Sequence, residues 1–384
     1  MLLEAEGQPS PRSSAHPSRA GAERIMTTET TQTAEQEARA HAKLARLSYV
    51  DRSSPGITRH RAGRGFFYRD QQGERVTEAE TLKRLKGLAI PPAYRDVWIC
   101  PNPKGHLQAV GKDRRGRLQY RYHPRWRDVR DEDKFARMLV FGDKLPKIRA
   151  QVDEDLRRPR LDRARVVAAV IRLMERTMAR IGNETYAKEN RSYGLTTLRH
   201  RHARIEGGRL ALDFKGKHGI EAQLDVRDPR LIRVIGRLQD LPGQRLFQYL
   251  DDEGTRHDIH SHDVNAYLQE VTNEDITAKD FRTWAATHLA ALTLSSLEKS
   301  DTKAREKKNV LRTIETVASK LGNTPSVCRK CYIHPQILSG YLDGSLRKAF
   351  ASRAESVLDD TTDTHALSAD EVTMIGYLTR LLDR

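Results

Sequence analysis

Near position 127 the spacing of apolar residues changes, and that change dictates a mixed architecture. Between 44 and 127 apolar side chains come in short alternating runs cut by turn residues; beyond 127 they recur mostly at steps of three and four. Alternation lines one face of a strand, and steps of three and four line one face of a helix. The predicted fold class is therefore α+β: a small β-rich N-terminal domain over 44–127, then a larger, mostly α-helical domain over 128–384 that includes a three-stranded antiparallel sheet. Residues 1–43 are rich in Ser, Thr, Pro, Ala, Glu and Gln. They cannot bury enough surface to offset their ordering entropy and are expected to be disordered. Met26 is a second candidate start.

In the β-rich part, Gly65–Tyr68 and Glu74–Val76 flank the turn Asp70-Gln71-Gln72-Gly73 and read as a hairpin. A helical stretch follows around Leu82–Leu88. Strand candidates then cover Asp96–Cys100, His106–Val110 and Leu118–Tyr122, the last two joined by a basic loop at Gly111–Arg117. The last strand interleaves aromatic and basic groups, Gln119-Tyr120-Arg121-Tyr122. Such a strand can pack rings on sugars and bases while Arg meets phosphate, or it can be a plain amphipathic edge.

The charged segment Arg125–Asp133 reads as a separator. In the helix after it, Val167, Ile171, Met174, Met178 and Ile181 share a face. Gly182 reads as its C-cap and Arg180 as a last-turn cation that suits the helix dipole. Three strands are expected next: Leu195–Ile205, the run with Leu210, Leu212 and Phe214, and the run with Ile220, Ala222 and Leu224. The turn Gly216-Lys217-His218-Gly219 joins the last two and carries Lys217 at its tip. His200 and His202 read as surface or DNA-facing residues, since further metal ligands are not evident. Thr277-Ala278-Lys279-Asp280 resembles a capping box that opens a helix with Phe281, Trp284 and Leu289 on its apolar face and Arg282 off it. A charged connection, Glu298–Lys308, precedes a helix bearing Val310, Ile314, Val317 and Leu321. A last helix is expected over 368–383.

Gly322 ends the helix that contains Leu321, and Thr324 with Pro325 opens a short one that delivers Tyr332 before Pro335 stops it. Tyr332 on this basic segment is either an ordinary buried ring or a nucleophile. A phenol with a pKa of ~10 needs cations nearby to attack well. Cys328 and Cys331 fit a packed helix better than zinc, for which His334 is the one further ligand close by, or a redox motif, which should follow a strand.

Lys and Arg number 68 against 52 Asp and Glu, for a net charge of +16. A field of that sign concentrates polyanions, of which nucleic acid is the commonest. Three cysteines in 384 residues form no disulfide framework, which suits a reducing compartment. No run approaches a membrane span and no secretion signal is evident, so a cytoplasmic protein is expected.

Taken in order, these pieces resemble the poxvirus-like, bacterial branch of the type IB DNA topoisomerases. The first-arginine motif resembles Arg180-Ile181-Gly182, Tyr186-Ala187-Lys188-Glu189-Asn190 and Gly194-Leu195-Thr196-Thr197-Leu198. Phe214-Lys215-Gly216-Lys217 is similar to the hairpin with the catalytic lysine, Asp280–Trp284 to the second-arginine motif, and Gly322–Tyr332 to the nucleophile segment. Gln119–Tyr122 matches the strand by which relatives touch DNA near the cleavage site. The resemblance implies the catalytic fold shared with tyrosine recombinases, two domains clamped on duplex DNA, and Tyr332, Arg180, Lys217, Arg282 and Asn323 as catalytic residues. It implies DNA contacts from Gln119, Tyr120, Tyr122, Tyr186 and Lys188. It further implies a nucleoid-associated monomer with no metal, nucleotide or other cofactor, no membrane partner, and transient single-strand cleavage through a 3′-phosphotyrosyl link. The sequence departs from the best-known members at Asn323, where they carry histidine; asparagine there is associated with the bacterial branch. It can donate a hydrogen bond but carries no charge. The rival expectations are a tyrosine recombinase, which usually shows a His-x-x-Arg motif where this chain has Asp280–Thr283, and a non-catalytic basic DNA-binding protein.

Overall fold

The computed structural model describes residues 35–63, 65–114, 116–298, 302–354 and 364–382. Contacts divide the chain into two compact units, Met1–Asp133 and Lys134–Arg384. The expected disorder of 1–43 lies outside the described residues as far as 34. Residues 35–44, in contrast, form a helix, α1. Arg39 pairs with Glu35 one turn back along it, and Ala42 is buried.

The first unit holds a five-stranded antiparallel sheet. Its strands are β1 (Ile57–Ala62), β2 (Gly65–Arg69), β3 (Arg95–Ile99), β4 (Leu107–Lys112) and β5 (Leu118–Tyr122), in the order β2-β1-β3-β4-β5. Helix α2 (Ala79–Gly87) adds Leu85 to a core of Ile57, Tyr68, Val97, Ile99 and Ala109. β1 escapes the sequence pattern because an arginine occupies one of its inner positions. Half-buried Arg59 donates to the carbonyls of Ile90, Pro91 and Tyr94 at 2.8–3.0 Å, so its donors are satisfied without an apolar partner. The hairpin partner of β2 is therefore β1. The Glu74–Val76 arm contributes an isolated bridge, Arg69 to Arg75, and a Val76 N–H donated to the Tyr68 carbonyl at 3.0 Å.

The segment expected to be a charged separator is helical. It begins α3 (Pro124–Leu156), within which the boundary between the units falls. In the second unit, α4 (Arg163–Thr177) is capped by Asp162, whose side chain accepts from the Arg165 N–H. α5 (Glu184–Asn190) is capped in the same way by Asn183. The expected strand over Leu195–Ile205 is mostly two tight 3-10 turns, Leu195–Thr197 and His200–His202, and only then β6 (Ala203–Glu206). β7 (Arg209–Lys215) pairs antiparallel with β6 and with β8 (Glu221–Val226), completing the three-stranded sheet. Leu210, Leu212 and Phe214 face inward as their alternation requires, whereas Ile220 lies exposed ahead of β8.

The remainder is helical except for the small hairpin of β9 (Gln248–Leu250) and β10 (Arg256–Asp258). It comprises α6 (Pro229–Gln239), α7 (Ser261–Thr272), α8 (Ala278–Ser295), α9 (Lys303–Leu321), α10 (Pro325–Cys331), α11 (Pro335–Leu342), α12 (Ser345–Ala354) and α13 (Ala369–Leu382). α8 supplies the centre of the core with Phe281, Trp284, Ala290 and Leu294. Asp280 accepts from both the backbone N–H and the hydroxyl of Thr277 at its start. Pro335 opens α11 at its first turn, where a missing N–H costs nothing, and His334 caps that helix. No described helix is long and apolar enough to cross a membrane.

Candidate active site

Arg180 does not ride on a helix. α4 ends earlier, with Met178 in the left-handed region at φ 57°. The next residues run extended and are held from the side. The Arg180 carbonyl accepts from the Leu195 N–H at 2.9 Å, and the Ile181 carbonyl accepts from the Thr196 N–H at 2.7 Å and its hydroxyl at 2.9 Å. Gly182, at φ 107°, and Gly194 permit this close approach. The helix-dipole account of Arg180 is therefore replaced by tertiary pairing. So held, the guanidinium reaches the loop after α9 and donates to the Gly322 carbonyl at 3.0 Å and to Asn323 Oδ1. Burial, reinforced by the neighbouring Arg282 charge, lowers its pKa to about 10. It stays charged at neutral pH but is under-compensated, and an anion would relieve it.

Asn323 follows the left-handed Gly322 that ends α9, and its N–H donates to the Ala318 carbonyl at 2.9 Å. Its Nδ2 is buried with no hydrogen-bond partner. Arg282 sits in the second turn of α8 and is 6% exposed, not off the buried face as its position in the pattern suggests. It donates to the Met178 carbonyl and, at 2.8 Å, to the Leu321 carbonyl, while its Nε is buried and unpaired. Burial lowers its pKa, and Tyr332 acts in the opposite direction. The guanidinium carbon lies 5.3 Å from the centroid of the Tyr332 ring. Tyr332 is the C-cap of α10, which Thr324 and Pro325 open as expected.

Lys217 projects from the β7–β8 connection, exposed, between Gly216 and a left-handed His218. Arg180, Lys217 and Arg282 line one cleft of about 420 Å³, together with Arg176 and Lys320. Tyr332 and Asn323 do not line it; they join the cluster through Arg282 and Arg180. Sequence reasoning passes over Arg176 and Lys320. The one signal for them is basic charge in the last turns of α4 and α9. Also unsignalled is Arg245, which donates to Glu184 and to the Thr196 carbonyl and so braces the loop that holds Arg180.

Of the expected DNA contacts in this unit, Tyr186 and Lys188 are exposed on α5. In the first unit Tyr120 is 46% exposed on the edge strand β5 and stacks on Tyr122, which also stacks on His106 and on Trp126, the latter with ring centroids 4.3 Å apart. Gln119 donates to Asp113 across the basic loop. His202 is not a surface residue. It is buried, its Nδ1 accepts from the Arg199 N–H, and burial depresses its pKa to about 4. Cys328 is buried, and its thiol pKa is raised to about 11 by desolvation. Among the described residues no group of three or more His, Cys, Asp or Glu could hold a metal ion.

Two family models match the chain. Eukaryotic DNA topoisomerase I, catalytic core, matches residues 123–353, and bacterial DNA topoisomerase IB, N-terminal domain, matches residues 65–113. DNA topoisomerase 1B of Acanthamoeba polyphaga mimivirus is 33% identical over 293 residues, which cover 74% of this chain and 87% of that protein. DNA topoisomerase 1B of Vaccinia virus (strain Copenhagen) is 26% identical over 266 residues, 66% of this chain and 80% of the relative. DNA topoisomerase I of Monkeypox virus matches to the same extent.

Proposed function

Since the chain belongs to the type IB DNA topoisomerases and is thus an isomerase that acts on DNA, we propose that it relaxes positive and negative supercoils by cutting one strand through Tyr332. The phenol oxygen attacks a backbone phosphorus, an O–P bond to Tyr332 forms, and the bond from phosphorus to the 5′-oxygen breaks. Lys217 gives a proton to that oxygen while the phenol loses its own to solvent. The duplex rotates, and the 5′-hydroxyl reverses the step. Because the phosphodiester energy is kept in the tyrosyl link, no ATP is consumed.

What carries this reading is the gathering of cationic and orphaned donors beside Tyr332. Arg180 and Arg282 share one cleft, and the buried Arg282 Nε and Asn323 Nδ2 lack acceptors. Nonbridging phosphate oxygens, more negative in the five-coordinate state, would satisfy them. Guanidinium forks match that geometry, so the charge stabilisation that metal ions provide in other phosphoryl transfers comes from the protein. One such preorganised donor is worth ~10²–10³ in rate, and general-acid help from Lys217 roughly 10²–10⁴. Asn323 supplies a neutral donor.

Gln119, Tyr120, Tyr122, Tyr186 and Lys188 contact the duplex, whose binding weakens steeply with salt. The enzyme works as a monomer on the nucleoid, in the cytoplasm. The test is relaxation of positively and negatively supercoiled plasmid in EDTA without ATP. Relaxation of both signs is expected; a requirement for metal or nucleotide, or for one sign only, would overturn the reading.

A further inference from the structure

Thr287, further along the helix that carries Arg282, is 0% exposed. Its hydroxyl donates to the Tyr332 carbonyl at 3.0 Å and accepts from the His334 N–H at 3.1 Å. A hydroxyl has one hydrogen to give and lone pairs to receive, and Thr287 uses both on the two residues that flank Ile333. Those residues form the joint between α10 and α11, where Tyr332 leaves helical geometry at φ −129° and ψ −37° and Ile333 is fully buried. α10 spans only Pro325–Cys331. A helix that short holds its position by tertiary contact and not by its own stability.

α8 thus grips three segments of the site with two side chains. Arg282 holds the Met178 carbonyl ahead of Arg180 and the Leu321 carbonyl ahead of Asn323. Thr287 holds the backbone of Tyr332 itself. We infer that Thr287 is a positioning residue for the nucleophile: it fixes the Tyr332 backbone to the Arg282 helix and so limits where the phenol can reach. The inference rests on the proposed role of Tyr332.

A distinctive kinetic consequence follows. Attack requires the oxygen within ~3–3.5 Å of phosphorus, and a misplacement of about 1 Å can cost ~10²-fold. Once the tyrosyl link has formed, the bond to DNA itself holds Tyr332. Loss of the Thr287 tether therefore slows cleavage far more than religation and shifts the cleavage equilibrium toward intact DNA.

The experiment compares wild type, Thr287→Val and Thr287→Ser. It measures single-turnover cleavage of a duplex that traps the covalent complex, religation of the preformed complex with a 5′-hydroxyl strand, non-covalent duplex affinity in a Tyr332→Phe background, and Tm. The expected result is cleavage slowed ~10²-fold in Thr287→Val, on the scale of a misplaced nucleophile, with religation changed much less, duplex affinity unchanged, and Thr287→Ser close to wild type. Equal cleavage by Thr287→Val and wild type overturns the inference. So does a parallel fall in both rates, or a Thr287→Ser as slow as Thr287→Val, because either would indicate packing and not the hydrogen bonds. Should Thr287→Val fail to fold, Thr287→Ala is measured against the same outcomes. Absence of any adduct in the wild type overturns the proposed function, a result distinct from the others.

Discussion

Gly194 and Gly182 meet so closely that a Cβ on Gly194 would stand 2.5 Å from the Gly182 amide nitrogen and 2.6 Å from the Arg180 carbonyl oxygen. The obstructing atoms are backbone, so no side-chain rotation can relieve the clash. Gly194→Ala must push the extended segment that carries Arg180 away from its partner. Overpacking of this kind costs about 1–3 kcal/mol, and a displaced Arg180 should slow cleavage ~10²-fold. Urea unfolding and single-turnover cleavage check the two effects. A variant with the wild-type cleavage rate would mean that the Gly182–Gly194 contact does not set the arginine.

Arg282 satisfies two carbonyls from two different segments while buried. A lysine lacks the planar fork that spans them. Arg282→Lys is therefore expected to lose ~10²–10³ in cleavage rate, close to the loss in Arg282→Ala, with unchanged net charge. If Arg282→Lys kept most of the activity, charge alone would be the requirement and the fork would not matter.

His334 gives the fold an acid sensitivity. Burial lowers its pKa from 6.5 to about 4. Between those values the unfolded chain binds its proton more readily than the native chain, so stability falls as pH falls from 6.5 to about 4. Above 6.5 both states are neutral and the contribution is constant. A gap of that size corresponds to on the order of 3 kcal/mol. His334 Nδ1 also accepts from the Gln336 N–H at 3.1 Å, a bond that protonation removes. Asparagine can cap the helix without titrating. Urea midpoints at pH 7 and 4.5 should differ clearly in wild type and less in His334→Asn; equal slopes would locate the sensitivity elsewhere, for instance at His202, which is depressed over the same range.

For DNA affinity, Lys188 and Tyr120 should behave differently. Lys188→Ala should weaken binding evenly across sequences and lower the salt slope by about one. Tyr120→Ala should cost up to ~1–3 kcal/mol if the exposed ring stacks on a base, with the slope unchanged. Titrations of a Tyr332→Phe background at several salt concentrations separate the two. A change of slope in Tyr120→Ala would contradict its role as a stacking surface.

The parts of this fold that are legible in the sequence are those with local punctuation. Gly322, Thr324 and Pro325 mark the end of α9 and the start of α10 within four consecutive positions, and each acts through its own backbone. β5, β7 and β8 are legible by alternation and turn residues. Arg180 is not legible in this way. The apolar steps of α4 continue through Met178 to Ile181, past the true helix end, where Met178 turns left-handed and Arg180 and Ile181 pair with Leu195 and Thr196. β1 is hidden for a similar reason: the groups that satisfy Arg59 lie on a loop some thirty residues away. The bracing of Thr196 by Arg245 likewise depends on a long-range partner. The residue types of the site can thus be read locally, whereas their convergence is a tertiary property.

In the proposed function Tyr332 forms the covalent link to DNA. The most direct test is to quench a cleavage reaction with SDS, digest the adduct with protease, and locate the modified peptide by mass spectrometry, with Tyr332→Phe in parallel. One adduct is expected, at Tyr332, joined to the 3′ end of the nick and absent from Tyr332→Phe. An adduct on another residue, a link to the 5′ end, or an adduct that persists in Tyr332→Phe would contradict the proposed function.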